Sequence, residues 1–179
     1  MKFLVSLVFA TAFSLAGIAQ ETPVEPDFAN VFFRLDTGKL ISLERQTAVI
    51  QGKASGFVVM SMKAVSEFSG AKSPVRFSSD QSLDFVVRSP LASSTVDPST
   101  LYVLRRLSGK KKNRELVMMA GHVTPVGGST KTDLAQGILP AAFVRYGTSS
   151  IKMMVGSLPP GEYAVSQIYA QTVFCFGVD

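Results

Sequence analysis

Paired methionines and a single histidine are the first residues of this sequence that could do chemistry. Met118 and Met119 closely precede His122, the only histidine in the 179-residue chain. Thioether sulfur and imidazole nitrogen are both ligands of Cu(I) in exported copper proteins. Neighbouring side chains on a strand point to opposite faces, so each methionine pair can give only one sulfur to a given site. Methionine more commonly fills irregular space in a protein core. Copper binding through Met118, Met119 and His122 is therefore the alternative interpretation of these residues.

The stretch Leu35-Asp36-Thr37-Gly38 resembles the Asp-Thr-Gly loop of aspartic proteases. That chemistry needs two carboxylates that share one proton, each from its own loop. The sequence holds no second loop of this type, and Lys39 follows where the family has Ser or Ala. We therefore interpret the stretch as a hairpin turn in which Gly38 takes a positive φ. No catalytic residue is predicted.

Basic residues are concentrated between positions 105 and 114. The six candidates for contact with an anionic surface are Arg105, Arg106, Lys110, Lys111, Lys112 and Arg114. Outside the cytoplasm such a cluster could bind acidic polysaccharide or the phosphates of the cell surface, and export leaves little room for nucleic acid. The alternative is a solvated hairpin tip whose charges discourage edge-to-edge pairing of sheets.

The chain has one cysteine, Cys175, so it cannot form an internal disulfide. Cys175 lies between Phe174 and Phe176 in an apolar run, which indicates a buried thiol. No group of His, Cys and Asp residues has the spacing of a metal site. The sequence therefore predicts no cofactor, and a fold that depends on neither metal nor disulfide.

The N-terminus has the three parts of a secretory signal peptide. Lys2 supplies the positive charge, an apolar run follows to Ala16, and Gly17 and Ala19 are small residues at the cleavage positions. The apolar run is short for a membrane span. We expect residues 1–19 to be removed and the protein to be periplasmic or extracellular, with no transmembrane segment after cleavage. Without Lys2, 17 basic residues stand against 13 acidic ones, a net charge of +4.

The mature chain is predicted to hold a flexible leader over residues 20–30 and one domain over 31–179. Alternating apolar and polar residues recur in short runs between Gly, Pro and Ser, for example on both sides of Thr37-Gly38. This pattern is typical of an all-β fold, and we predict an antiparallel β-sandwich. The stretch Leu101 to Leu107 could instead form a helix capped at Asp97. Tyr102 and Val103 favour a strand there.

The stretch Leu158-Pro159-Pro160-Gly161-Glu162-Tyr163 resembles the corner before the penultimate strand of Ig-like and fibronectin-like sandwiches. The resemblance implies that Gly161 lets the chain turn and that the Tyr163 hydroxyl bonds back to the turn. It covers few residues, and the tryptophan and paired cysteines of antibody domains are missing. The C-terminal strand, from Thr172, resembles uncharacterised exported bacterial proteins, which implies no activity.

These observations together favour a non-enzymatic, Ig-like module exported to the cell envelope. Its role would be binding or structural, with an envelope protein or an anionic polysaccharide as the expected partner. Periplasmic copper binding is the alternative function.

Overall fold

The computed structural model describes residues 22–56, 60–124, 127–132, 137–168 and 170–179. For residues 60–63, 118–123 and 128–132 the description covers the backbone. The predicted signal peptide lies outside the described residues. Among the residues that are described, no helix is long and apolar enough to cross a membrane.

The described chain is all-β, as predicted, with one 3-10 turn at Pro98–Thr100. The strands are β1 (Phe32–Asp36), β2 (Lys39–Ser42), β3 (Glu44–Thr47), β4 (Val49–Ser55), β5 (Met60–Ser69), β6 (Arg76–Phe77), β7 (Leu83–Arg88), β8 (Tyr102–Gly109), β9 (Asn113–Thr124), β10 (Gly127–Thr132), β11 (Ile138–Leu139), β12 (Ala142–Tyr146), β13 (Ser150–Val155), β14 (Gly161–Gln167) and β15 (Thr172–Val178).

The smaller sheet has the antiparallel order β12-β13-β7-β1-β2. Its first hairpin joins β1 to β2 through Thr37 and Gly38, with φ of 45° and 79°. Two positive φ values in a two-residue loop match the twist of the flanking strands. The predicted turn is therefore present.

The larger sheet follows the order β3-β15-β14-β8-β9-β5-β4, with β6, β10 and β11 added at its sides. Its pairs are antiparallel except that of β15 with β6. The two ends of this path, β3 and β4, are joined by Ala48 alone. One residue spans only a few ångströms, so the two ends meet and the sheet curls back on itself.

Two hydrophobic clusters follow from this curl. The sandwich core lies between the two sheets, where Phe32 packs edge-on against Tyr102 and Phe85 packs against Phe176. The second cluster lies on the inner face of the curled sheet, and its members are Phe68, Leu107, Leu116, Ala164, Val173 and Cys175. Side chains on a strand alternate between faces, so β14 and β15 contribute to both clusters.

Residues 102–107 form strand rather than helix, as part of β8, which pairs mainly with β14, and Leu101 ends the preceding 3-10 turn. Asp97 does cap, but the cap begins only a single 3-10 turn, in which its carboxylate accepts from Ser99 N at 2.9 Å. β8 and β9 form a hairpin held by two register pairs, Ser108 with Glu115 and Gly109 with Arg114. The strand interpretation is therefore the right one.

Part of the predicted leader contacts the smaller sheet. The Glu25 carboxylate accepts hydrogen bonds from Thr148 N at 2.8 Å, Ser149 N at 2.9 Å and Ser150 Oγ at 2.6 Å. Burial opposes ionisation, but these bonds prevail and lower the pKa of Glu25 to about 2. The Asn30 N–H donates to Arg88 O at 2.9 Å. Flexibility of residues 20–30 in solution stays a prediction.

Candidate functional site

A cavity of about 90 Å³ opens on the inner face of the curled sheet. We call it the inner cavity. Its apolar wall includes Ile50, Phe68, Leu107, Leu116, Ala164 and Val173. Polar groups, from Ser66, Arg105, Ser166, Gln167 and Gln171, complete the lining. A water needs only about 10–15 Å³ of such space, so the volume suits one small apolar group.

Small side chains create this space. Ala164 and Ser166 are consecutive inward positions of β14, and Ala48 lies at the joint between β3 and β4. Ser66 faces Leu116 across the pair of β5 with β9. Larger residues at these positions would fill the interior, as aromatic side chains do in the sandwich core.

The mouth of the inner cavity lies between β4 and the turn that joins β14 to β15. Ile50 belongs to the lining but keeps 68% of its surface exposed. Gln167, Ala170 and Gln171 line both the inner cavity and a neighbouring outer depression, where Arg45 is exposed. None of the described residues that line either space is acidic.

A buried ion pair lies on the same inner face as the cavity. Arg114 is fully buried and holds the Glu44 carboxylate with two hydrogen bonds, at 2.8 and 2.9 Å. It also donates to Ser69 O at 2.6 Å and to Gly70 O at 3.1 Å. Burial opposes the charge on Glu44, but the bonds from Arg114 prevail and lower its pKa. The pair therefore stays ionised and fixed in place.

Cys175 lies beside this ion pair and is fully buried. Burial raises the pKa of its thiol to about 12, which the nearby Arg114 only partly offsets. A thiol needs to ionise near neutral pH to act as a nucleophile. Cys175 is therefore a packing residue, in line with its place in the sequence.

Glu162 extends the charged network toward the C-terminus. It accepts from Ser73 N at 2.8 Å and pairs with Arg76. Arg76 in turn donates from Nε to Asp179 at 2.8 Å. These contacts hold the end of the chain against β6 and β14.

The six predicted anion contacts do not form one surface. Arg114 is fully buried and Arg105 is 8% exposed, so neither belongs to an exposed basic patch. The exposed members are Arg106, which donates to Pro160 O at 3.2 Å, and Lys110, Lys111 and Lys112 at the β8–β9 turn. Lys110 pairs with Glu115. A role for this smaller tip in binding anions stays a prediction.

The side chains of the predicted copper ligands, Met118, Met119 and His122, lie outside the described part of the structure. The backbone places His122 opposite Ser61 on one side and Ser129 on the other. Where side chains are described, no cluster of three His, Cys, Asp or Glu residues could hold a metal ion. The copper interpretation stays a prediction.

The Asp-Thr-Gly stretch is a surface turn. The Asp36 side chain is 46% exposed and lies 3.6 Å from Arg34. The Tyr163 corner is present: Tyr163 is fully buried, stacks on Phe176 and donates from its hydroxyl to Pro159 O at 2.6 Å. This is the contact that the Ig-like resemblance implies.

Sequence reasoning did not find the inner cavity. A faint signal for it is the run of small residues at alternate positions of β14, but alternation alone does not say that the sheet curls. Comparisons with family models, with curated proteins and with solved structures find no match. The geometry of the described residues is therefore the basis for the function.

Proposed function

We propose that this protein is an exported, non-enzymatic binding module of the cell envelope, and that the inner cavity receives an apolar group of its ligand. The cavity carries the proposal, because it is open at one end and walled by Phe68, Leu107 and Leu116. Concave, mostly apolar spaces with a few polar groups are where ligands bind.

The buried ionisable groups on the inner face of the curled sheet support binding rather than catalysis. Arg114 and Glu44 are tied to one another, and burial holds the Cys175 thiol in its neutral form. A general acid or base needs a pKa near the working pH, whereas the shifts at Glu44 and Cys175 lead away from neutrality. Arg114, Glu44 and Cys175 lie on the same face of the sheet as the cavity but are not part of its lining.

Export is supported by the tripartite N-terminus and by the burial of the one thiol, which suits an oxidising compartment. Fractionation of cells, with the protein detected by an antibody against the native chain, tests export. An antibody is preferred to a C-terminal tag, because a tag would disturb the contact of Asp179 with Arg76. The expected product begins at Gln20 by intact mass. A cytoplasmic species that retains Met1 to Ala19 would contradict export.

Titration with benzene, followed by amide NMR shifts, tests the cavity. We expect the shifts to centre on Ala164, Leu116 and Val173. The substitution Ala164→Leu fills the cavity and should remove the response at a cost of about 1–3 kcal/mol in stability. The control Ala142→Leu, on the exposed edge strand β12, should keep it. A native protein without shifts around the cavity would refute the proposed function.

A further inference from the structure

An unpaired strand edge lies at the mouth of the inner cavity. β4 pairs with β5 along its whole length, and no other strand of the described chain pairs with its second edge. Pairing on that second side ends at Ala48, whose N–H donates to Gln171 O at 2.8 Å. Backbone groups two residues apart on a strand point the same way, so the N–H and C=O of Ile50 face this open edge.

The open edge and the inner cavity form one continuous surface. The side chain of Ile50 lines the cavity while its backbone belongs to the edge. A strand added along β4 would therefore place alternate side chains over the mouth. The cavity volume of about 90 Å³ suits one branched aliphatic side chain from such a strand.

The charge around the mouth indicates the character of the added strand. Arg45 is exposed in the depression that adjoins the cavity, and the described residues that line the two spaces include no carboxylate. Without the predicted signal peptide the chain has a net charge of +4. Complementary charge directs which partner is accepted, so an acidic segment fits here.

We propose that β4 receives an extended, acidic segment of a partner protein, which adds as a strand and inserts an aliphatic side chain into the inner cavity. Strand addition of this kind takes affinity from backbone hydrogen bonds and specificity from pockets for alternate side chains. The proposal rests on the proposed function and names the ligand class for the same site.

The test uses the mature chain and a short fluorescent peptide that alternates aspartate with leucine, measured by anisotropy. The matched peptide has lysine in place of aspartate. A third peptide carries N-methyl groups on alternate amides, which removes the donors of one edge. The variants are Ile50→Glu and its neighbour Val49→Glu, both at exposed positions, and only Ile50 lines the cavity.

We expect the aspartate peptide to bind at least about 10-fold more tightly than the lysine peptide. Both glutamates place a like charge beside the acidic segment and should weaken binding, but Ile50→Glu also loses the cavity contact and should weaken it about 10-fold more than Val49→Glu does. Methylation of the amides that face β4 should prevent binding. Equal losses in the two variants, or equal affinity for both charged peptides, would overturn the proposal.

A second copy of this chain could also supply the added strand. Sedimentation of the native chain and of Ile50→Glu tests this alternative. A native dimer that Ile50→Glu converts to monomer would make a second copy the occupant and overturn the proposal. The benzene titration distinguishes failure of the proposed ligand class from failure of the cavity as a binding site. If benzene binds and the aspartate peptide does not, the ligand class is wrong and the cavity remains a binding site. If both fail, the proposed function is wrong as well.

Discussion

Replacement of Arg114 by methionine should destabilise the fold strongly. Methionine occupies similar space but removes the two bonds to Glu44 and those to the Ser69 and Gly70 carbonyls. It takes this donor from the two carbonyls and leaves the Glu44 carboxylate with a neutral donor, Gln46 Nε2 at 2.7 Å, but without its cationic partner. Removal of one partner from a buried ion pair costs about 3–5 kcal/mol. A domain has about 5–15 kcal/mol in total, so the loss is a large share.

Urea unfolding followed by circular dichroism measures this loss, with Arg145→Met as the control. Arg145 is exposed, and its hydrogen bond to Ser94 O is weak at 3.4 Å, so the control should change stability by less than about 0.5 kcal/mol. The double variant Arg114→Met with Glu44→Met removes both charges. It should be more stable than Arg114→Met alone, because no carboxylate is left without its partner.

The pH dependence of stability, compared between the native protein and Arg114→Met, also tests the role of Arg114. In the native protein the pKa of Glu44 lies below its unfolded value, so the folded state binds fewer protons and loses stability as the pH falls through the range below 4.5. Without Arg114 the strongest influence that lowers the pKa of Glu44 is gone, so its pKa rises relative to the native protein and protonation costs the variant less. The gap between native and variant should therefore narrow between about pH 7 and about pH 4. A penalty under about 1 kcal/mol, or a gap independent of pH, would refute the assigned role of Arg114.

Three further predictions concern the rest of the fold. In urea melts Tyr163→Phe should lower the free energy of unfolding by about 1–3 kcal/mol, because the Pro159 carbonyl loses its donor. Tyr163→Ala should lower it by about 3–5 kcal/mol, because a cavity opens. A neutral Tyr163→Phe would show that the hydrogen bond does not stabilise the fold. Glu25→Gln should flatten the loss of stability between about pH 4.5 and about pH 2, since the folded pKa of Glu25 is about 2, and an unchanged acid limb would contradict that shift. Thermal melts with chelator or with reductant should coincide with the untreated melt, because Cys175 is a free buried thiol, and a drop of several degrees with either agent would count against it.

Local features of the fold could be predicted from the sequence. The turn at Thr37-Gly38 and the corner at Tyr163 depend on residues within a few positions of each other, so the local sequence determines their conformations. The alternation of Phe174, Cys175 and Phe176 likewise gives a strand with two buried faces.

The curl and the inner cavity could not be predicted in this way. Residues 44–47 are all polar and lack the apolar alternation that indicates a strand. The inward-facing residue Glu44 is charged because it pairs with Arg114 inside the curl. Arg114 resembles a surface residue in a basic run because its partner is 70 positions away. No spacing rule connects residues so far apart, and only the curl of the sheet brings them together.

The placement of β14 and β15 in both hydrophobic clusters makes the domain one cooperative unit. Tyr163 and Phe176 pack between the sheets, while Ala164 and Cys175, their neighbours in the chain, pack inside the curl. Because the two strands belong to both clusters, we expect the clusters to melt in a single transition. The last strand joins residues near the beginning, with Cys175 opposite Glu44. Such distant pairing delays folding until the C-terminus is available, and loss of the final strand would unfold both clusters at once.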